Sequence, residues 1–96
     1  MVDQPRPIER RHAYYSGHVQ GVGFRYAVRE IAGGYAVSGF VRNLPDGRVE
    51  LVAEGQPGEL DRFMGEIAER MAGYIRKTSV DVLAGNGEFA NFEIRY

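Results

Sequence analysis

Two stretches of this chain carry residue types that can do chemistry. The first is Gly17-His18-Val19-Gln20-Gly21-Val22-Gly23-Phe24-Arg25. Three glycines let successive backbone N–H groups turn into one concavity. A helix beginning just after them adds unpaired N–H donors and a partial positive charge. Arg25 then supplies a permanent cation with a planar fork of donors. Gln20, Gly21, Val22, Gly23, Phe24 and Arg25 together would cradle a phosphate, a sulfate or a carboxylate. The same glycines would also suit a turn whose only task is to pack a strand against a helix, and on residue types alone both readings stand.

Nucleotide-loop patterns do not fit. No Gly-Lys-Ser/Thr follows the glycines, and their positions at 17, 21 and 23 break the G-x-G-x-x-G spacing. The second stretch is Gly39-Phe40-Val41-Arg42-Asn43-Leu44-Pro45-Asp46-Gly47-Arg48-Val49-Glu50. Asn43 stands at a strand end beside a Pro-Asp-Gly turn, where asparagine is ordinary turn chemistry.

Positioning these residues requires regular elements, and hydrophobic spacing supplies them. Arg10–Val19 reads as a strand. Phe24, Ala27, Val28, Ile31 and Ala32 mark one face of a helix, and Gly33-Gly34 is expected to end it in the left-handed conformation. Val37–Asn43 and Arg48–Glu54 alternate with period two around the 44–47 turn, which predicts a hairpin. Pro57 suits a helix start, and Leu60, Phe63, Met64, Ile67 and Met71 follow at helical spacing. Tyr74–Leu83 reads as a strand, 84–90 as a loop, and Phe92, Ile94 and Tyr96 as a closing strand. The order is β-α-β-β-α-β. It predicts an α+β, ferredoxin-like sandwich, an antiparallel sheet of four to five strands with two helices on one face. Residues 1–9 are expected to be a flexible tail and 10–96 the single domain.

Composition narrows the function. Twelve Lys and Arg against 13 Asp and Glu give a net charge of −1, and eleven of the twelve cations are Arg. Bulk attraction to nucleic acid or to a membrane is therefore not expected. The absence of cysteine removes disulfides, thiol nucleophiles and thiolate metal sites. His12 and His18 lack a carboxylate or thiol neighbour in sequence, so no metal site is expected. Serines at 16, 38 and 79 have no evident base, and Asp46 reads as a turn residue. Met1–Arg11 lacks the apolar stretch of a signal peptide and no run is long enough to span a bilayer. A cytoplasmic monomer is the expectation.

Taken together, the two stretches closely resemble the acylphosphatase family. The resemblance is dense over about residues 11–55 and returns at Phe92-Glu93-Ile94-Arg95-Tyr96, which looks like the family's closing strand. It implies a hydrolase that cleaves the carboxyl–phosphate bond of a small acyl phosphate, without metal or cofactor. It also implies that Arg25 binds the phosphoryl group and that Asn43 orients the attacking water. One stretch departs: the family usually has Gly-Pro between the second helix and the next strand, where this chain has Met71-Ala72-Gly73-Tyr74. The helix exit and the edge strand after it are expected to differ in shape.

Overall fold

The computed structural model describes residues 7–96. Seven elements follow in chain order: β1 (Glu9–Gly17), α1 (Phe24–Ala32), β2 (Val37–Asn43), β3 (Val49–Gly55), α2 (Pro57–Arg70), β4 (Ile75–Ala84) and β5 (Phe92–Arg95). The expected tail at 1–9 lies mostly outside the described residues, and Glu9 is already in β1. The strands form one sheet in the order β4-β1-β3-β2-β5. β1 and β3, β1 and β4, and β2 and β3 pair antiparallel. The fourth pairing departs from the expected antiparallel sheet, because β5 runs parallel to β2, with Val41 opposite Ile94. The α+β, ferredoxin-like sandwich is otherwise as the element order predicts.

Alternation decides what each face buries. Ala13 and Tyr15 of β1, Val41 of β2 and Val49, Leu51 and Ala53 of β3 point to the helices. They pack there against Phe24, Val28 and Ile31 of α1 and Leu60, Phe63 and Ile67 of α2. Each large apolar side chain taken fully out of water contributes about 1.5–3 kcal/mol, so this layer fixes how the helices lie on the sheet. It reaches β4 only at Ile75, and further along that strand Val80 and Val82 are 42% and 58% exposed.

The helix-free face is organised by charge. Glu50 and Glu54 alternate against Val49, Leu51 and Ala53 onto this face, and they are only 5% and 2% exposed. Glu54 accepts from Arg10 Nε at 2.7 Å and from the backbone N–H of Gly87 at 2.9 Å and of Asn86 at 3.3 Å. That folds the loop after β4 back over the sheet, where Phe89 packs against Phe40. Glu50 accepts from Arg42 Nε and bonds His12 Nε2 at 2.6 Å. Burial pushes both carboxyls up, but the Arg42 and His12 bonds at Glu50, and the Arg10 and loop N–H bonds at Glu54, outweigh it and hold both below the usual value.

Glycine conformations set two close approaches. Gly39 has φ +141°, and a Cβ there would lie 1.9 Å from the Val52 carbonyl oxygen, so β2 can pair with β3 only through glycine. The end of α1 differs from the expected left-handed cap. Gly33 is right-handed, and the chain leaves by a tightened turn with Gly34 N–H to Ile31 O at 2.9 Å and Tyr35 N–H to Ala32 O at 3.1 Å.

Candidate active site

β1 ends at Gly17, where a register shift against β4 turns the chain out of the sheet. The loop that follows is fastened at its start by the His18 N–H, which donates to the Tyr74 carbonyl at 2.9 Å. The unusual Met71–Tyr74 stretch is thus a turn whose last carbonyl holds the loop entry, with Tyr74 N–H itself bonded to Met71 O at 2.9 Å. Gly21 and Gly23 have φ +75° and +79°, a region that costs L side chains about 1–2 kcal/mol. A Cβ at either would meet nothing within 4 Å. The space in front of the loop is open, and the glycines are required by backbone conformation rather than by contact.

α1 starts directly from Gly23. Its first intrahelical bond runs from Ala27 N–H to the Gly23 carbonyl at 3.0 Å, and no side chain caps the N-terminus. The N–H groups of Phe24, Arg25 and Tyr26 therefore have no partner within the helix. No acidic residue occupies the first turn to satisfy them. In front of this terminus lies a cavity of about 190 Å³ lined by Val19, Gly21, Gly23, Phe24, Arg25, Tyr26 and Asn43. Its floor is rigid: Phe24 is buried against Tyr15, with ring centroids 5.2 Å apart.

Arg25 and Asn43, 18 positions apart in the chain, thus line one cavity. Asn43 ends β2 opposite Val49 and points to the helix side of the sheet, whereas Arg42 points to the other side and pairs with Glu50. The Asn43 side-chain oxygen Oδ1 is fully buried and has no hydrogen-bond partner. Leaving such an acceptor dry costs about 1–3 kcal/mol, and buried acceptors of this kind are uncommon enough to require a reason. An asparagine and an arginine lining one small cavity bring an amide and a permanent cation within reach of one bound molecule, the amide suited to an O–H and the guanidinium to an anionic oxygen.

The remaining motif residues divide. Gly21, Gly23, Phe24 and Arg25 line the cavity, but Gln20 and Val22 do not. Val22 packs on the core. The Gln20 side-chain nitrogen Nε2 donates to the carbonyls of Leu44 at 2.8 Å and Arg48 at 2.9 Å, across the turn that follows Asn43. Asp46 is a turn carboxylate, bonded to Arg48 N–H at 3.1 Å and Arg48 Nε at 2.8 Å, which hold its carboxyl below the usual range. His12 and His18 have separate partners, Glu50 and the Tyr74 ring. Two rim residues were not foreseen. Tyr26 lines the cavity, and the exposed ring of Tyr96 lies under the Arg25 guanidinium at 4.8 Å. Tyr26 is adjacent in sequence to Arg25, which was a usable signal; Tyr96 is brought in only by the parallel pairing of β5.

The acylphosphatase family model matches residues 11–94. An acylphosphatase of Methanospirillum hungatei is 49% identical over 75 residues, 78% of this chain and 82% of that protein. One from Syntrophobacter fumaroxidans is 43% identical over 89 residues, 91% of each chain. Among solved structures, the acylphosphatase of Bacillus subtilis superposes with a TM-score of 0.83 at 31% identity, over 92% of this chain and 99% of that one.

Proposed function

The chain belongs to the acylphosphatase family and is a hydrolase of acyl phosphates, and from that premise we propose how its own residues carry the reaction. An acyl phosphate and water give a carboxylate and inorganic phosphate. The leaving carboxylate is stable, so the protein must chiefly position water and stabilise the phosphoryl oxygens. In this reading Arg25 and the helix-terminal N–H groups of Phe24, Arg25 and Tyr26, with those of Gly21 and Gly23, bind those oxygens through a loose transition state. The Asn43 oxygen accepts a hydrogen bond from water and holds it in line with the breaking bond.

The single observation that carries the reading is that Arg25 and Asn43 line one cavity while no protein group takes the Asn43 Oδ1 acceptor. The partner it lacks is the one the attacking water supplies. Among the described residues no carboxylate or imidazole lines the cavity. The proton of the water therefore passes to a phosphate oxygen of the substrate, and the site offers no ligand set for a metal. Every group used comes from one chain, so a monomer suffices, and inorganic phosphate or sulfate is the simple ligand of the cradle. The lack of cysteine suits a reducing compartment, and we place the protein in the cytoplasm.

Hydrolysis of an aryl acyl phosphate in excess EDTA tests the reading. Wild-type protein should keep its full rate. Arg25→Ala should lose turnover and phosphate affinity together, and Arg25→Lys should recover little, because a point charge does not replace a planar fork. Activity lost on chelation and restored by one divalent metal would overturn the metal-free reading, and an active Arg25→Ala would overturn the role of Arg25.

A further inference from the structure

We propose that Gln20 is a positioning residue that sets the cradle against Asn43, and that its side chain touches no substrate oxygen. Both partners of the side chain are carbonyl oxygens, so the atom between them must be the donor nitrogen, and its two protons are both used. The two carbonyls are shared. Leu44 O also accepts the Gly47 N–H at 3.1 Å, and Arg48 O also accepts the Leu44 N–H at 2.8 Å. Gln20 thus joins the bonds that close the β2–β3 turn immediately after Asn43. Among the described residues, these two bonds are the ones that cross from the 18–23 loop to that hairpin. Arg25 and the loop amides lie on one side of this tie and Asn43 on the other. Its length fixes how far the oxygen that holds the water stands from the group that holds the phosphoryl oxygens. The proposal rests on the water-orienting reading of Asn43.

Gln20→Leu keeps the size and removes both donors. A misplacement of about 1 Å costs on the order of 10² in rate, so kcat should fall by about 10–100-fold. Inhibition by inorganic phosphate, which reads the Arg25 side alone, should change by less than about threefold. The deciding measurement is a double-mutant cycle, because residues that act through one another are not additive. In Asn43→Ala, adding Gln20→Leu should cost less than about threefold more. An equal loss in both backgrounds overturns the brace while leaving the role of Asn43 intact, as does an unchanged kcat for Gln20→Leu. A loss confined to phosphate affinity assigns Gln20 to direct phosphoryl contact and likewise overturns the brace. Asn43→Ala with wild-type kcat overturns the water reading itself, and the brace with it.

Gln20→Glu gives a second readout should the leucine variant fold poorly. Its ionised carboxylate would face two carbonyls with nothing to donate, whereas its protonated form could donate once. The two carbonyls disfavour its charged form, so the ratio of its kcat to wild type should rise as pH falls through a range at or above the usual carboxyl value of a glutamate. A ratio that stays flat with pH overturns the proposal.

Discussion

Asn43→Ala should make the protein less active without making it less stable. No protein group pairs with the buried Oδ1, so truncation breaks no protein hydrogen bond to that oxygen, and where water does not reach it the acceptor costs about 1–3 kcal/mol. Truncation removes that penalty and also loses the burial of about one carbon, worth roughly 0.8 kcal/mol. The balance runs from about 0 to 2 kcal/mol in favour of the variant. At this chain length each kcal/mol moves Tm by about 4–8 °C, so Tm should stay level or rise by up to about 8–16 °C. Turnover should drop by about 10²–10³, the loss of one preorganised polar contact, equivalent to about 2.7–4 kcal/mol of barrier. Competition by inorganic phosphate should hardly change, since Arg25 and the amides remain. Steady-state kinetics with an aryl acyl phosphate and a thermal melt on one preparation measure all three quantities. A Tm lower by more than about 8 °C would show that Asn43 is an ordinary turn residue whose loss damages the hairpin. Unchanged kcat would show that the Asn43 oxygen has no role in the reaction.

Inorganic phosphate should raise Tm saturably in wild type, by the equivalent of about 2.7 kcal/mol at 100 times its Kd, and Arg25→Ala should keep only the non-saturable salt effect in the same thermal titration. Gly39→Ala should lose at least about 3 kcal/mol or fail to fold, because its Cβ would meet the Val52 carbonyl at 1.9 Å. Gly21→Ala should fold and lose only about 1–2 kcal/mol in urea, since its Cβ meets nothing and only φ is strained. Acid should weaken the fold through Glu50 and Glu54. Both are held below the usual 4.5, so their stabilisation is complete above that value and is lost as pH falls through their lowered values. Urea unfolding followed downward from about pH 6 should show the decline, and Glu54→Gln should flatten it.

The sequence alone determined what depends on a residue and its near neighbours. The 24–32 helix face, the hairpin around 44–47 and the proline start at 57 all came from local spacing and backbone preference, which survive whatever packs on top. The glycine loop before a helix, with Arg25 in its first turn, was legible as an anion cradle for the same reason, whereas Asn43 by itself read as an ordinary turn residue and was singled out only by the family resemblance of the two stretches together. Partners many positions away belonged to the tertiary structure. Alternation sets Glu50 and Glu54 on the face away from the helices, and only the returning loop with Phe89, together with Arg10, Arg42 and His12, buries them as paired charges. Alternation sets Val80 and Val82 on one side of β4, but only the packing shows that the core reaches β4 at Ile75 and leaves these two valines exposed. The direction of β5 is set by what remains open beside β2, so its parallel pairing, and with it Tyr96 under Arg25, has no local signature. Gln20 shows the division within one residue. Its place in the glycine loop was readable, but its two acceptors lie 24 and 28 positions away, and only the closed sheet brings them within reach of its amide.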